Sequence, residues 1–321
     1  MTILAASTAT LAVAGPAAAE TVLDEQSRSF SVAHAQGVTV FSRYDQAIDA
    51  YHLVAREAGE ERRLNVEPSP EAFDVDVGTS ATGRLVAVYS RLVNDDPDLR
   101  EDDHDLFRYS FASDSETRLA ALSTEAAEQN PSVSRGQIAF VRYTTEGSRL
   151  MIGNTGRNGA PRTLVRRGGD ATILDTALSS RRLAYATARG DGEASPYTEA
   201  MHVRNLRDGK DRTVKIVRSG TLSYARFTDP SFSDTGKALY FARTHVGAGT
   251  GNRYHRWSAT QGLRETRGTS QAISTAWAGG SLGMLVVRDP DPGVTCGFED
   301  VETPRGTCDL IATGLLTFTR P

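Results

Sequence analysis

The sequence predicts an all-β protein, a six-bladed β-propeller with four antiparallel strands per blade. Two observations carry that expectation. A short apolar strand recurs six times at a blade-sized period, and each copy follows a turn rich in Gly, Ser and Ala. In addition, no long segment with helical periodicity interrupts the series.

The recurring strand occupies residues 38–42, 85–89, 138–141, 183–186, 239–242 and 284–287, reading VTVFS, LVAVY, IAFV, LAYA, LYFA and MLVV. Its starts lie 47, 53, 45, 56 and 45 residues apart, room for four short strands and their turns. The turn before it is short in every copy: residues 35–37, 80–83, 134–136, 179–181, 233–236 and 278–280. Gly there tolerates positive φ, and Ser bonds the local backbone, as tight hairpins require. An inner strand precedes each turn, as at 73–77 and 273–277. A third strand follows at 50–54, 106–109, 150–152, 201–203, 254–257 and 310–312. The fourth is expected at 61–64, 117–119, 162–165, 212–215, 263–266 and 316–318. Alternating strands of this length, separated by turn residues, argue for β structure throughout. Residues 120–128 offer at most a helical turn.

The domain organisation follows. Residues 1–19 are uncharged, Ala-rich and end in a small-residue A-x-A site, so they read as a secretory signal with mature protein from about Glu20, although no basic n-region precedes the apolar run. Residues 20–321 form the propeller, with blades at approximately 28–67, 72–121, 130–168, 171–219, 222–268 and 271–320. Two modes of ring closure stay open. Residues 28–32 and 316–318 complete blades one and six separately, or the N-terminal segment exchanges into blade six.

Composition narrows the function classes. The formal charge is −4 over 321 residues, which argues against a nucleic-acid partner held by a basic surface. The N-terminal apolar run is short and no later segment is apolar enough to span a bilayer. A secreted or cell-envelope monomer is expected. Cys296 and Cys308 are the two cysteines; in an exported chain such a close pair reads as a disulfide.

The repeats also carry a resemblance. Residues 229–241, DPSFSDTGKALYF, resemble the P-x-F-S-x-D-G-K-x-L-x-F core of the WD40-like repeat of TolB-type propellers. Residues 130–140, NPSVSRGQIAF, form a weaker copy, and 105–109 with 117–119 resemble that family's next two strands. The resemblance covers roughly residues 28–320, with blades two, three and five matching best. It implies a TolB-like six-bladed propeller and carries little about activity.

Loop lengths distinguish the faces of the ring. With strands lettered A to D outward, the A–B turns are short, whereas the B–C connections of blades two, four, five and six are long. Long loops on a rigid scaffold often carry binding, so this face is the expected contact surface, with Asp95, Asp96, Asp98, Asp102, Asp103, His245 and Asn252 as candidate binding residues. Asp95, Asp96, Asp98, Asp102 and Asp103 are also a candidate calcium set, because hard cations take several carboxylate oxygens; the spacing is not that of an EF-hand, and a solvated acidic loop is the reading the sequence favours. No other cofactor is implied. His52, His202 and His255 recur at matching third-strand positions and read as packing residues. No nucleophile-elbow, zincin or phosphate-loop motif occurs.

Two functions stay in contention. One is a non-catalytic binding or scaffold propeller with a protein or envelope polymer as partner. The other is a hydrolase or lyase acting on a polysaccharide. That enzyme needs acid, base or metal ligands near the axis, where the inner strands offer Asp74, Asp76, Asp175, Asp229 and Arg226.

Overall fold

The structure is a computed structural model that describes residues 20–26, 30–94, 103–156, 159–190, 197–218, 224–246, 253–267, 271–280, 283–289, 308–314 and 316–319. Among these residues there is no helix. The N-terminal strand β1 (Thr21–Gln26) comes first. Blade one follows with β2 (Val32–Ala35), β3 (Val38–Asp45), β4 (Ala50–Glu57) and β5 (Glu60–Arg63). Blade two holds β6 (Asp74–Thr79), β7 (Leu85–Asn94), β8 (Asp103–Ser110) and β9 (Ser115–Arg118). Blade three holds β10 (Glu128–Ser134), β11 (Gln137–Thr144), β12 (Gly147–Asn154) and β13 (Arg162–Arg167).

Blade four holds β14 (Ala171–Leu178), β15 (Arg182–Arg189), β16 (Thr198–Asn205) and β17 (Asp211–Arg218). In blade five the inner strand is split. β18 (Tyr224–Phe227) and β19 (Ser231–Phe232) both pair with β20 (Ala238–Val246), followed by β21 (Arg253–Ser258) and β22 (Gly262–Arg267). Pro230 lies in the break, where its missing N–H leaves no ladder bond to lose. Blade six contributes β23 (Gln271–Gly279), β24 (Gly283–Asp289) and β25 (Cys308–Ala312). The chain is thus a six-bladed propeller of four antiparallel strands per blade. Residues 120–127 form turns rather than a helix, with Leu122 N and Ser123 N donating to Leu119 O.

The apolar core is a ring of layers. Among the described residues, six buried clusters each join one pair of neighbouring blades. Strand alternation feeds them. On β11, Ile138 and Phe140 face blade two, whereas Ala139 and Val141 face blade four. A period of two thus gives each B strand two apolar faces, which explains the continuous apolar runs in the sequence.

Ring closure follows the exchange mode. β1 pairs with β25, in register from Thr21↔Ala312 to Gln26↔Cys308. The outermost strand of blade six therefore comes from the N-terminal side of the chain, not from residues 316–318. Those residues turn away. Leu316 and Phe318 pack against the blade five–six cluster, and Thr319 exchanges two backbone hydrogen bonds with Glu265 of β22, at 2.8 and 2.9 Å. The sequence pattern in both segments suits an outer strand. The choice rests on side chains that reach blade one: Gln26 Nε2 donates to Ser42 O at 3.0 Å, and Arg43 pairs with Asp24 at 3.0 Å.

Neighbouring inner strands approach closely. A Cβ added at Gly78 of β6 would lie 2.3 Å from Val133 O in blade three. Gly78→Ala is expected to lower stability by about 1–3 kcal/mol through overpacking, read as a lower denaturant midpoint at unchanged m-value.

Candidate functional site

The inner strands converge on the axis and enclose a channel of about 390 Å³. Its lining includes Asp74 and Asp76 of β6, Asp175 of β14, and Asp229, which lies in the break between β18 and β19. It extends to the A–B turns, where Gln36, Arg135, Ser180 and Gly236 line it. The channel therefore reaches the short-turn face, opposite the long B–C loops.

Each carboxylate is held by a neighbouring blade. Asn130 N donates to Asp74 Oδ2 at 3.2 Å, and Val133 N donates to Asp76 Oδ2 at 2.7 Å. Ser274 Oγ of blade six donates to Asp229 Oδ2, and Thr275 Oγ1 donates to Asp229 O at 2.8 Å. Ser274 Oγ in turn accepts Val32 N of blade one at 3.2 Å. Asp175 and Asp229 are hydrogen-bonded to each other. Part of the role of these groups is structural, since they tie blade to blade where the inner strands have no ladder between them.

They nevertheless leave charge unbalanced. Among the described side chains, a set that does not include Arg226, no Lys or Arg lies within ion-pair distance of Asp74, Asp76, Asp175 or Asp229. Burial pushes the Asp76 carboxyl up to about 7, against the hydrogen bonds from Val133 and Val77. Burial also raises Asp74. Asp175 is raised well above the usual range by burial, then by the charges of Asp229 and Asp74; Asp229 is raised as well, chiefly by burial. Such perturbed groups facing a cavity mark a functional-site candidate. At neutral pH the Asp175–Asp229 pair shares a proton, because two adjacent buried carboxylates resist full ionisation.

The residues expected from sequence fall elsewhere. Asp95, Asp96, Asp98 and Asp102 lie outside the described residues, as do Asn252 and Cys296. Asp103 opens β8, half-buried, its carboxyl raised by burial and by Asp105. His104 is held by Glu71 at 3.1 Å and Gln129 at 3.2 Å, and buried Asp105 pairs with Arg118 at 2.5 Å. His245 pairs through its backbone with Ala225. Cys308 is buried in β25. No group of three or more His, Cys, Asp or Glu among the described residues is arranged to hold a metal ion. His202 stacks on Tyr185 and His255 on Phe241, with centroids 4.8 and 4.9 Å apart. The inner-strand aspartates were visible as singletons. Their convergence was not, because Asp76 and Asp229 belong to different blades far apart in the chain.

Fold and channel together define a propeller with an acidic axial cavity, and its architecture is TolB-like. TolB from Acinetobacter baumannii superposes with a TM-score of 0.53 at 11% identity, over 87% of this chain and 64% of that one. The chain thus spans less than two thirds of that TolB's length. An oligogalacturonate lyase in complex with manganese superposes with a TM-score of 0.50 at 10% identity, over 85% of this chain and 76% of that one. At such identities the likeness is one of fold. No family model and no curated protein matches the sequence.

Proposed function

We propose that this chain is a non-catalytic binding propeller, working outside the cytoplasm, whose axial channel takes a cationic segment of a partner protein. The observation that supports it is the set of four channel carboxylates with no Lys or Arg partner among the described side chains. They line one cavity together, which suits an ammonium or guanidinium group. An entering cation offsets the desolvation that raises the carboxyl pKa values, so binding releases protons. The secretory signal at residues 1–19 and a Cys296–Cys308 bridge belong to the same reading, since both fit an oxidising compartment.

The test is titration of a labelled Lys/Arg-rich peptide into the protein, followed by anisotropy. Affinity is expected to rise by about tenfold or more from pH 5.5 to pH 8 as the channel ionises. Asp175→Asn and Asp229→Asn should each weaken binding at pH 8 about five- to thirtyfold. Binding that ignores both substitutions would place the contact elsewhere, the long-loop face included.

The hydrogen-bonded Asp175–Asp229 pair gives one reason to keep the hydrolase reading. A protonated carboxyl beside a carboxylate supplies an acid and a base in one cavity. Reducing-end release from acidic or neutral polysaccharides, lost in Asp175→Asn, would favour that reading over the binding one.

A further inference from the structure

We propose that the outer rim of blades three and four is a docking surface for an acidic polysaccharide. This surface is separate from the channel. Charge is divided unevenly around the ring. Residues 135–218 carry 16 Lys and Arg against 8 Asp and Glu, whereas residues 20–134 carry 10 against 23.

The two halves also differ in how their charges are paired. On blades one and two, several arginines have carboxylate partners. Glu61 pairs with Arg43 and Arg56, Asp114 with Arg62, and Glu67 and Glu116 with Arg91. On blades three and four, Arg162, Arg166 and Arg167 of β13 and Arg212, Lys215 and Arg218 of β17 have no carboxylate within ion-pair distance among the described residues. The nearby acids Glu146, Asp170 and Asp211 pair instead with Arg149, Arg189 and Arg204.

Both strands are the outermost of their blades. Leu164 and Val165 of β13 pack with Tyr185 and Leu206 of blade four, whereas Val214 and Val217 of β17 pack with blade five. Burial lowers the His202 and His255 imidazoles; the Asp211 charge opposes this at His202, and the charges of Arg167 and Lys215 reinforce it at His202 and His255 respectively. Ile216, half exposed between Lys215 and Arg218, adds an apolar contact.

Charged edge strands also block unwanted strand addition, lysine above all, but an all-cationic strand is not required for it. The equivalent strands of blades one and two meet it with mixed charge, Glu60, Glu61, Arg62 and Arg63 on β5 and Glu116 with Arg118 on β9. β13 and β17 instead carry six cations and one acid. Guanidinium groups bind carboxylates with matched, often bidentate geometry, and a polyuronate presents such carboxylates along an extended chain. Neither strand offers an aromatic ring for base stacking, unlike single-strand nucleic-acid platforms.

The experiment titrates the full chain with alginate, a polyuronate, and with dextran as the neutral control. Alginate is expected to bind and dextran not, with alginate affinity falling about tenfold or more at high salt. R162Q/R166Q/R212Q/R218Q should weaken alginate binding about tenfold or more. R162Q/R166Q alone should give an intermediate loss, which keeps the test valid if the fourfold variant misfolds. Three outcomes overturn the proposal: no alginate binding at low salt, an equal loss in the control R63Q/R84Q/R181Q/R267Q, or tighter binding to duplex DNA or anionic phospholipid vesicles than to alginate.

Discussion

Deletion of residues 20–26 is expected to lower the free energy of unfolding by about 4–6 kcal/mol, a large share of what holds a domain together. The strand pairs with β25 over five register positions. Leu23 packs against the cluster that joins blades six and one. Its carbonyl accepts Arg56 Nη1 at 2.7 Å, and Tyr44 N donates to Gln26 Oε1 at 3.1 Å. Glu20 pairs with Arg288 at 2.6 Å. Without β1, the buried strand Cys308–Ala312 becomes an exposed edge. Denaturant melts followed by circular dichroism measure the loss, and a synthetic peptide of residues 20–30 added in trans should recover part of it. An unchanged midpoint would show that blades six and one close without the strand.

The second large effect is on stability against pH. The protein is expected to lose about 1–3 kcal/mol of stability between pH 6.5 and pH 8. Asp76 titrates near 7 when folded, against an ordinary value of 3.8. Between those values the folded state holds a proton that the unfolded state has lost, so stability falls as pH rises. Asp175 and Asp229 act in the same direction. Below pH 6.5 His255 opposes them. Burial lowers its imidazole to about 3, so the unfolded state takes up a proton that the folded state refuses, and stability falls as pH falls. Three raised carboxyls outweigh the lowered His255 imidazole over this range, so maximum stability is expected well below pH 6. Asp76→Asn keeps an acceptor for Val133 N and removes the charge, so it should raise the melting temperature most at pH 8 and by clearly less at pH 5. Thermal melts across this range decide the matter; stability that rises from pH 6.5 to 8 would contradict a desolvated channel.

The strands were legible because burial on both faces leaves a strong mark. Runs such as Ile138-Ala-Phe-Val141 feed two inter-blade clusters at once, so their apolar character is continuous and their spacing repeats. The third-strand histidines were legible for a related reason: equivalent positions meet equivalent surroundings, as His202 on Tyr185 and His255 on Phe241. The channel was only half legible. Asp74, Asp76, Asp175 and Asp229 stood out as acids on inner strands, but an acid on a strand also fits a solvated position. Their meaning comes from one another across the ring and from Asn130, Val133 and Ser274 of neighbouring blades.

By itself, then, the sequence determined the number of blades, the order of strands within them and which faces are apolar, because these depend on local periodicity and short turns. Tertiary structure alone decided that Thr21–Gln26 rather than residues 316–318 completes blade six, and that four separated aspartates share one desolvated cavity. Each of these depends on contacts between segments far apart in the chain, selected by packing and electrostatics in the closed ring, and no local pattern encodes which distant partner a residue will meet.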